Sequence, residues 1–318
     1  MYQCDQGNYD VIGDIHGHVT KLENLLKKLD YAKSEQGVYS HASRKVIFLG
    51  DFIDGGSEHQ QVIEIVKPMV ENQAAYAIMG NHEFNAISFH TKHPGTELPL
   101  RERSIKNIGQ HIEFLSEYKK HNDKMLITIE WFKTLPLFLE LSEIRAVHAC
   151  WSDYEINKIK HYLMPDNTIK TELFDSFYVN ANTKGTNEFD AVEVLLKGVE
   201  VLLPNGEKFK DKSGSDRQEI RVKWWLHDGE TYKDYALVPA SAKVPSIPFP
   251  KEIIKNYLYS QNQKPVFIGH YWLQGKPEVQ HRNIACLDYS VAKNGHQVAY
   301  RWTKGDDYLI DSNFVTSE

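Results

Sequence analysis

Five short apolar runs in this chain stop abruptly, and each is followed at once by a residue that can bind a cation or move a proton. Tyr9 to Ile12 leads into Gly13-Asp14, Lys45 to Leu49 into Gly50-Asp51, and Ala75 to Met79 into Gly80-Asn81-His82. Ile144 to Val147 leads into His148, and Pro265 to Ile268 into Gly269-His270. Apolar runs of this length, bounded by glycine, read as buried strands. After the first, residues 19–31 place Leu22, Leu25, Leu26 and Leu29 on one helical face; after the second, residues 59–70 repeat the pattern with Val62, Ile63 and Val66. Strand–helix–strand alternation predicts βαβ units and a mostly parallel inner sheet. Ligands of such sheets sit beyond the carboxyl ends of the strands, so the five polar endings are predicted to converge.

The chain has 318 residues, 41% hydrophobic and 25% charged, which is ordinary globular composition. Because the polar endings run from Gly13 to His270, a single domain over residues 1–318 is preferred to two. A net charge of -6 argues against a broad grip on long nucleic acid. Three cysteines, Cys4, Cys150 and Cys286, form no CxxC pair and suit a reducing compartment. The N-terminus lacks a basic start followed by an apolar run, and no apolar stretch is long enough to cross a bilayer. The expectation is a soluble cytoplasmic protein. Two stretches break the strand–helix rhythm. Residues 89–134 are polar, with an amphipathic segment from Ile112 to Tyr118. Residues 152–250 carry helix signals, then a glycine-rich charged part and an alternating run from Glu219 to Leu226. Both read as insertions over the active face, where specificity is commonly built. Near the C-terminus, IACLDYS and HQVAYRW flank Asn294-Gly295, a hairpin signal.

The chemistry rests on residue types. In Gly13-Asp14-Ile15-His16-Gly17 a carboxylate and an imidazole two residues apart can reach one metal. In Gly50-Asp51-Phe52-Ile53-Asp54-Gly55-Gly56, Asp51 can bridge two cations and Asp54 can serve as an acceptor behind them. In Gly80-Asn81-His82-Glu83, the Asn81 oxygen suits a hard cation and His82 is free to carry a proton. His148 and His270 add two imidazoles. Oxygen and imidazole donors without thiolate fit manganese, iron or zinc better than a structural zinc site. Cys150, close to His148, reads as packing.

GDIHG, GDFIDGG, GNHE, VHA and GH, in that order, resemble the calcineurin-like metallophosphoesterase superfamily. The branch they are most similar to holds serine/threonine phosphoprotein phosphatases, bacterial diadenosine tetraphosphatases and the phosphatase module of bacterial polynucleotide kinase-phosphatases. The resemblance implies a four-layer α/β/β/α sandwich with two central mixed sheets. It makes Asp14 and His16 ligands of a first divalent metal, with Asp51 bridging. Asn81, His148 and His270 become ligands of a second, and His82 a general acid oriented by Asp54. Manganese is the first choice for both ions, with iron or zinc as alternatives.

Two departures from the family pattern stand out. The phosphatase branch ends its second motif in Asp-Arg-Gly, whose arginine grips phosphate, and Gly56 is taken to stand in the arginine's place. Arg217 and Arg221, in the second insertion, are candidate replacements. Where many phosphodiesterases of the superfamily carry a second histidine, two residues after the first, this chain has Trp272. The implied function is hydrolysis of a phosphate monoester by metal-activated hydroxide. The favoured substrate is a small phosphorylated molecule or nucleotide, with a phosphoprotein also open. Trp224, Trp225 and Tyr232, beside Arg221 and Lys223, could stack a base. A phosphodiesterase or nucleotide polyphosphatase, and a non-catalytic metal-binding scaffold, are the competing readings.

Overall fold

The structure, a computed structural model, describes residues 7–210, 214, 216–238 and 242–318; Cys4 lies outside the described residues. The first sheet begins with β1 (Tyr9–Ile12), β2 (Lys45–Phe48) and β3 (Ala75–Ala77), which run parallel. The second begins with an antiparallel pair, β4 (Phe138–Glu140) and β5 (Arg145–Val147). A separate antiparallel sheet follows, made of β6 (Glu200–Leu202), β7 (Glu219–Val222) and β8 (Ala236–Leu237). The chain then returns to the second sheet with β9 (Val266–Ile268) and β10 (Ile284–Cys286), parallel to each other, β9 lying beside β5. At Leu287 it crosses back. There β11 (Asp288–Tyr289), β12 (His296–Trp302) and β13 (Phe314–Thr316) join the first sheet antiparallel, with β12 against β1.

Alternation along these strands builds the sandwich. Val11, Ile47 and Tyr300 of the first sheet share one apolar cluster with Leu139, Ala146, Phe267 and Ala285 of the second. Their sequence neighbours Ile12, Phe48, Ala299, Val147, Ile268 and Cys286 point the other way, into a larger cluster with the helices. A strand with both faces apolar must be covered on both sides, so helices lie outside each sheet. Helix α1 (Val19–Lys28) packs on β12, and α2 (His59–Glu71) beside β3. On α1, Leu22, Leu25 and Leu26 are fully buried, each contributing about 1.5–3 kcal/mol relative to exposure. Among the helices of the second side, α6 (Asn187–Lys197) reaches the chain just past β5, where the Ala149 N–H donates to the Leu195 carbonyl.

The predicted strands and helices are present with slightly shorter ends, and both inner sheets are mixed, as the family resemblance implies, rather than mostly parallel, as the strand–helix alternation alone predicts: β11, β12 and β13 return antiparallel in the first sheet and β4 runs antiparallel to β5 in the second. The C-terminal hairpin also differs from expectation. Ile284–Cys286 pairs with β9 in the other sheet, and only Asp288–Tyr289 folds back on β12, through a loop that includes a 3-10 turn at Val291–Lys293. Between 89 and 134 the chain forms α4 (Ile105–Tyr118) and α5 (Asn122–Phe132), after α3 (Asn81–His90). Trp224, Trp225 and Tyr232 are buried. They lie beyond the end of β7, where Trp224 packs on Trp225, Trp225 on Tyr271 and Tyr232 on Phe249, and are closed to a stacking base. No described helix is long and apolar enough to cross a membrane.

Helix α2 has no cap of its own, and its first N–H groups lack intrahelical partners. Glu117 of α4 supplies them from across the groove: its carboxylate accepts from the His59 N–H at 2.8 Å and the Gln60 N–H at 2.9 Å, and faces His59 Nδ1 at 2.7 Å. This ties the first insertion to the layer that carries Asp51 and Asp54. Glu117→Ala is expected to destabilise the protein by about 1–2 kcal/mol, read as a lower urea midpoint, with Glu117→Gln falling between it and the wild type.

Candidate metal centre

The five polar endings sit at the carboxyl ends of β1, β2, β3, β5 and β9, and they meet where the two sheets face each other. The connecting backbone is bent in an unusual way. His16, Asp51, Asp54 and His270 have φ of 48°, 51°, 66° and 70°, in the left-handed region that few non-glycine residues adopt and that is concentrated at functional sites. Glu83 holds two of these loops together. Its buried carboxylate accepts from the Asp51 and Phe52 N–H groups at 2.8 Å each, and from the Gly80 N–H at 3.0 Å. A Cβ on Gly80 would lie 2.3 Å from the Asp51 nitrogen, and one on Gly269 would lie 2.1 Å from Asp14 Oδ1. Only glycine lets these turns approach so closely.

Asp51 is the hub. Its Oδ2 lies 3.7 Å from His16 Nε2, 3.8 Å from His82 Nε2 and 3.3 Å from His148 Nε2, and its Oδ1 accepts from the His82 N–H at 2.9 Å. Asp14 Oδ2 is 3.8 Å from His16 Nε2, and the His270 N–H donates to both Asp14 oxygens at 3.2–3.3 Å. Asn81 Oδ1 lies 3.1 Å from His148 Nε2 and 2.7 Å from His270 Nδ1. Among the described residues two donor groups could each hold a metal ion: His16, Asp51 and His82, and Asp51, His148 and His270. Asp14 and Asn81 fall outside both groups but contact His270, so all six sequence-predicted ligands lie in one cluster. His82 stands close enough to be counted with the first group.

The donor set suits cations. His148 Nδ1 donates to the Leu49 carbonyl at 2.7 Å, and His16 Nδ1 faces the Ile53 carbonyl at 3.0 Å. In the neutral rings this leaves the Nε2 lone pairs directed at the Asp51 carboxylate. Lone pairs facing lone pairs repel unless a proton or a metal ion lies between them. Burial pushes the Asp14 carboxyl well up, with the Asp288 and Asp51 charges adding to it. Burial also works against ionised Asp51, but His148 and His82 outweigh it and hold that carboxyl well below the usual range. Burial, with Arg221 and His148 nearby, drives His270 well down, and its Nε2 is buried without a hydrogen-bond partner. Glu83 is pushed up to about 7 by burial and the Asp51 charge, against the His82 charge and the Phe52 N–H it accepts from.

Beside the hub lies a dyad. His82 Nδ1 is 2.6 Å from Asp54 Oδ2, so the proton shared there leaves Nε2 as the nitrogen that faces the Asp51 carboxylate, at 3.8 Å. Burial pulls His82 down, but Asp51 and Asp54 lift it to about 9. The other Asp54 oxygen is taken by His111 of α4, at 2.8 Å. His111 is buried and stacked on Phe114 at 4.6 Å between centroids.

Arg221 and Arg217 lie further out, on the wall of a cavity of about 1060 Å³ that also includes Trp272, Lys223 and Gln110. The Arg221 guanidinium sits 5.0 Å from the centre of the Trp272 ring and 2.9 Å from Glu200, with its Nε buried and unpartnered. Trp272 is 43% exposed, with its N–H on Asp288 at 2.7 Å. Counted along Asp54-Gly55-Gly56, the family arginine falls on Gly55, not Gly56. Gly55 has φ +90°, and a Cβ there would lie 3.0 Å from Ala292. Four residues escaped the sequence reading. Glu83 was visible in GNHE but had no assigned task. Asp288 lay inside the hairpin signal. His111 and Arg101, which line a small cleft with Asp54 and His82, gave no local sign, because only packing brings their segment over Asp54.

The family model described as calcineurin-like phosphoesterase matches residues 8–271. The chain belongs to that family. It is 33% identical over 152 residues to a bis(5'-nucleosyl)-tetraphosphatase PrpE [asymmetrical] of Oceanobacillus iheyensis, covering 47% of this chain and 58% of the relative. To the protein of the same description from Halalkalibacterium halodurans it is 31% identical over 119 residues, covering 35% and 48%. The chain thus spans about half the length of the curated relatives it matches. Its fold is similar to that of a serine/threonine phosphatase of Saccharomyces cerevisiae with similarity to human phosphatase PP5. That likeness has a TM-score of 0.52 at 13% identity and covers 99% of this chain and 80% of the other.

If Glu83 holds the metal-site loops in place, Glu83→Gln, which swaps one acceptor oxygen for an amide facing N–H donors, should weaken Mn²⁺ binding by about 10–100-fold. Titration calorimetry checks this, with near-UV circular dichroism to confirm folding.

Proposed function

We propose that this chain is a metal-dependent phosphoesterase that hydrolyses a phosphate monoester of a small phosphorylated molecule or nucleotide. Asp14, His16 and the bridging Asp51 would hold one divalent cation, and Asn81, His148 and His270 with Asp51 the other. Manganese is the first candidate, iron and zinc the alternatives. The observation that carries the reading is the gathering of five further oxygen and imidazole donors around the Asp51 carboxylate, beside a histidine paired with its own aspartate. The chain would act as one domain, with residues 89–134 and 152–250 building the rim of the site.

Cations held there would supply an activated water and would offset charge on the phosphate oxygens. The protein's own groups do the rest. His16 and His148 keep their Nε2 lone pairs aimed at the site because backbone carbonyls hold their Nδ1 protons. Asp54 fixes the tautomer and orientation of His82 and stabilises its protonated ring. Protonated His82 has a proton on Nε2 to give to the leaving oxygen as the ester breaks. Arg221, its Nε unpartnered, and Arg217 are candidates to meet the substrate's phosphate from the cavity side. The names of the PrpE relatives favour a nucleotide, and Trp272 in place of a second histidine favours a monoester over a diester.

The test is hydrolysis of p-nitrophenyl phosphate and bis-p-nitrophenyl phosphate by metal-stripped protein titrated with Mn²⁺. Turnover is expected to need metal, to prefer the monoester and to vanish in Asp51→Asn. Preference for the diester would make the protein a phosphodiesterase, and binding without turnover of any ester would favour the scaffold. For His82→Ala the rate should fall by about 10²–10⁴-fold on alkyl phosphates and much less on p-nitrophenyl phosphate, whose leaving group needs no proton. Equal losses on both would remove His82 from the proton-donor role.

A further inference from the structure

Imidazoles hold Asp54 from both sides, and the contacts close into a circuit. His82, near the start of α3, sets its Nδ1 2.6 Å from Asp54 Oδ2, and His111 of α4 sets its own Nδ1 2.8 Å from Asp54 Oδ1. An ionised carboxylate only accepts, so both Nδ1 atoms donate to it. The far nitrogen of His111 then meets α3 again: its Nε2 lies 3.4 Å from Nε2 of His90, the last residue of that helix. Two ring nitrogens face each other there, so one donates its proton and the other accepts it. Burial, with His111 and Arg103 adding to it, pushes His90 down to about 4, so at neutral pH its ring is uncharged. The His111 ring has little room to turn. It is buried, stacked on Phe114 at 4.6 Å between centroids and flanked by Phe89 at 5.4 Å. Arg101 lines the same small cleft, but its guanidinium is committed to the amide oxygens of Asn85, Asn107 and Gln110.

A carboxylate held by one hydrogen bond is free to swing, because its terminal torsion is broad and two-fold. Asp54 also stands in a left-handed turn, with φ of 66°, and is followed by Gly55 at 90°. Swinging would take Oδ2 off His82 Nδ1. The His82 ring would then lose the partner that keeps its Nε2 directed at the site, 3.8 Å from Asp51 Oδ2. His111 removes that freedom. Burial works against an ionised Asp54, but the hydrogen bonds from His111 and His82 outweigh it and hold the carboxyl below the usual range.

We infer that His111 is a positioning residue for the proton-donor step: by holding one Asp54 oxygen it keeps the other on His82 Nδ1. This rests on the reading of the protein as a phosphoesterase with His82 as its proton donor, and it brings a residue of the first insertion into that step. His111 acts through Asp54, with its own ring held by His90 and Phe114.

The experiment measures kcat and KM with Mn²⁺ on glycerol 2-phosphate and on p-nitrophenyl phosphate, for the wild type, His111→Leu, His111→Asn, His82→Ala and the double variant His82→Ala/His111→Leu. In His111→Leu, kcat is expected to fall about 10–100-fold on glycerol 2-phosphate and much less on the aryl ester, with KM little changed. His111→Asn, which keeps an N–H near the place of Nδ1, should recover most of the loss. Adding His111→Leu to His82→Ala should lower kcat no further, because both changes disable the same step. His111→Phe, which keeps a ring against Phe114 without the nitrogens, stands in where His111→Leu does not fold. Equal losses on the two esters, or a full further loss in the double variant, would leave His111 a structural residue only and overturn the inference. Absence of metal-dependent turnover of either ester by the wild type would instead strike the phosphoesterase reading. His111 is then judged by proton NMR, with Zn²⁺ in place of paramagnetic Mn²⁺. The downfield His82 Nδ1–H resonance, identified by its loss in His82→Ala, should move upfield in His111→Leu and hold its place in His111→Asn. An unmoved resonance in folded His111→Leu rejects the inference.

Discussion

A single buried carboxylate, Glu83, stitches the two loops on which the rest of the site depends. Three backbone N–H groups, from Asp51, Phe52 and Gly80, converge on it. No secondary-structure ladder is available to these groups, since both loops have just left their strands, and leaving them buried and unpaired would cost about 1–3 kcal/mol each. Pairing them with one carboxylate draws the ends of β2 and β3 together and forces Asp51 into its left-handed turn. That turn sets the Asp51 carboxylate against His148, which arrives from the opposite sheet. The gap between the two sheets is thus closed by charge at one end and by apolar packing along its length.

The two halves of the site come from different kinds of structure. The donors that could hold cations stand just past strand ends, with Asn81 opening α3, where two close-packed sheets give them little freedom, as a metal site needs. The surroundings of the proton-donor candidate come from helices. Asp54 is gripped by His82 of α3 on one oxygen and by His111 of α4 on the other. Glu117, also on α4, caps α2 and so anchors that helix to the central layers. The helix that orients Asp54 also carries Asn107 and Gln110, which fix Arg101. Changes in this insertion can therefore alter the surroundings of Asp54 and His82 while the donors past the strand ends stay where they are.

The cavity wall shows the same division. Trp224 and Trp225, suggestive beside Arg221 in the chain, are buried, whereas Trp272, two residues past His270, projects outward under the Arg221 guanidinium. Its φ of 47° and the N–H bond to Asp288 turn its ring toward the opening. The residue that departs from the diesterase pattern is therefore part of the rim facing whatever enters.

Much was legible in the chain itself. Short apolar runs ending in glycine marked the strands, because burial on both faces demands uninterrupted apolar residues and the turn beyond demands conformational freedom. Asp14, His16, Asp51, Asn81, His148 and His270 were readable for the same reason: each stands next to such a run, and parallel strands bring their ends together. What the chain could not reveal was which distant segment covers that edge. His111 and Arg101 sit in polar sequence with no local pattern, and their places follow from how α4 packs across α2 and α3. The return of the last strands antiparallel, and the burial of Trp224 and Trp225, were likewise settled by tertiary packing. Local periodicity records which face of an element is apolar; it holds no information about which partner will cover that face, and that partner decided the proton-donor side of the site.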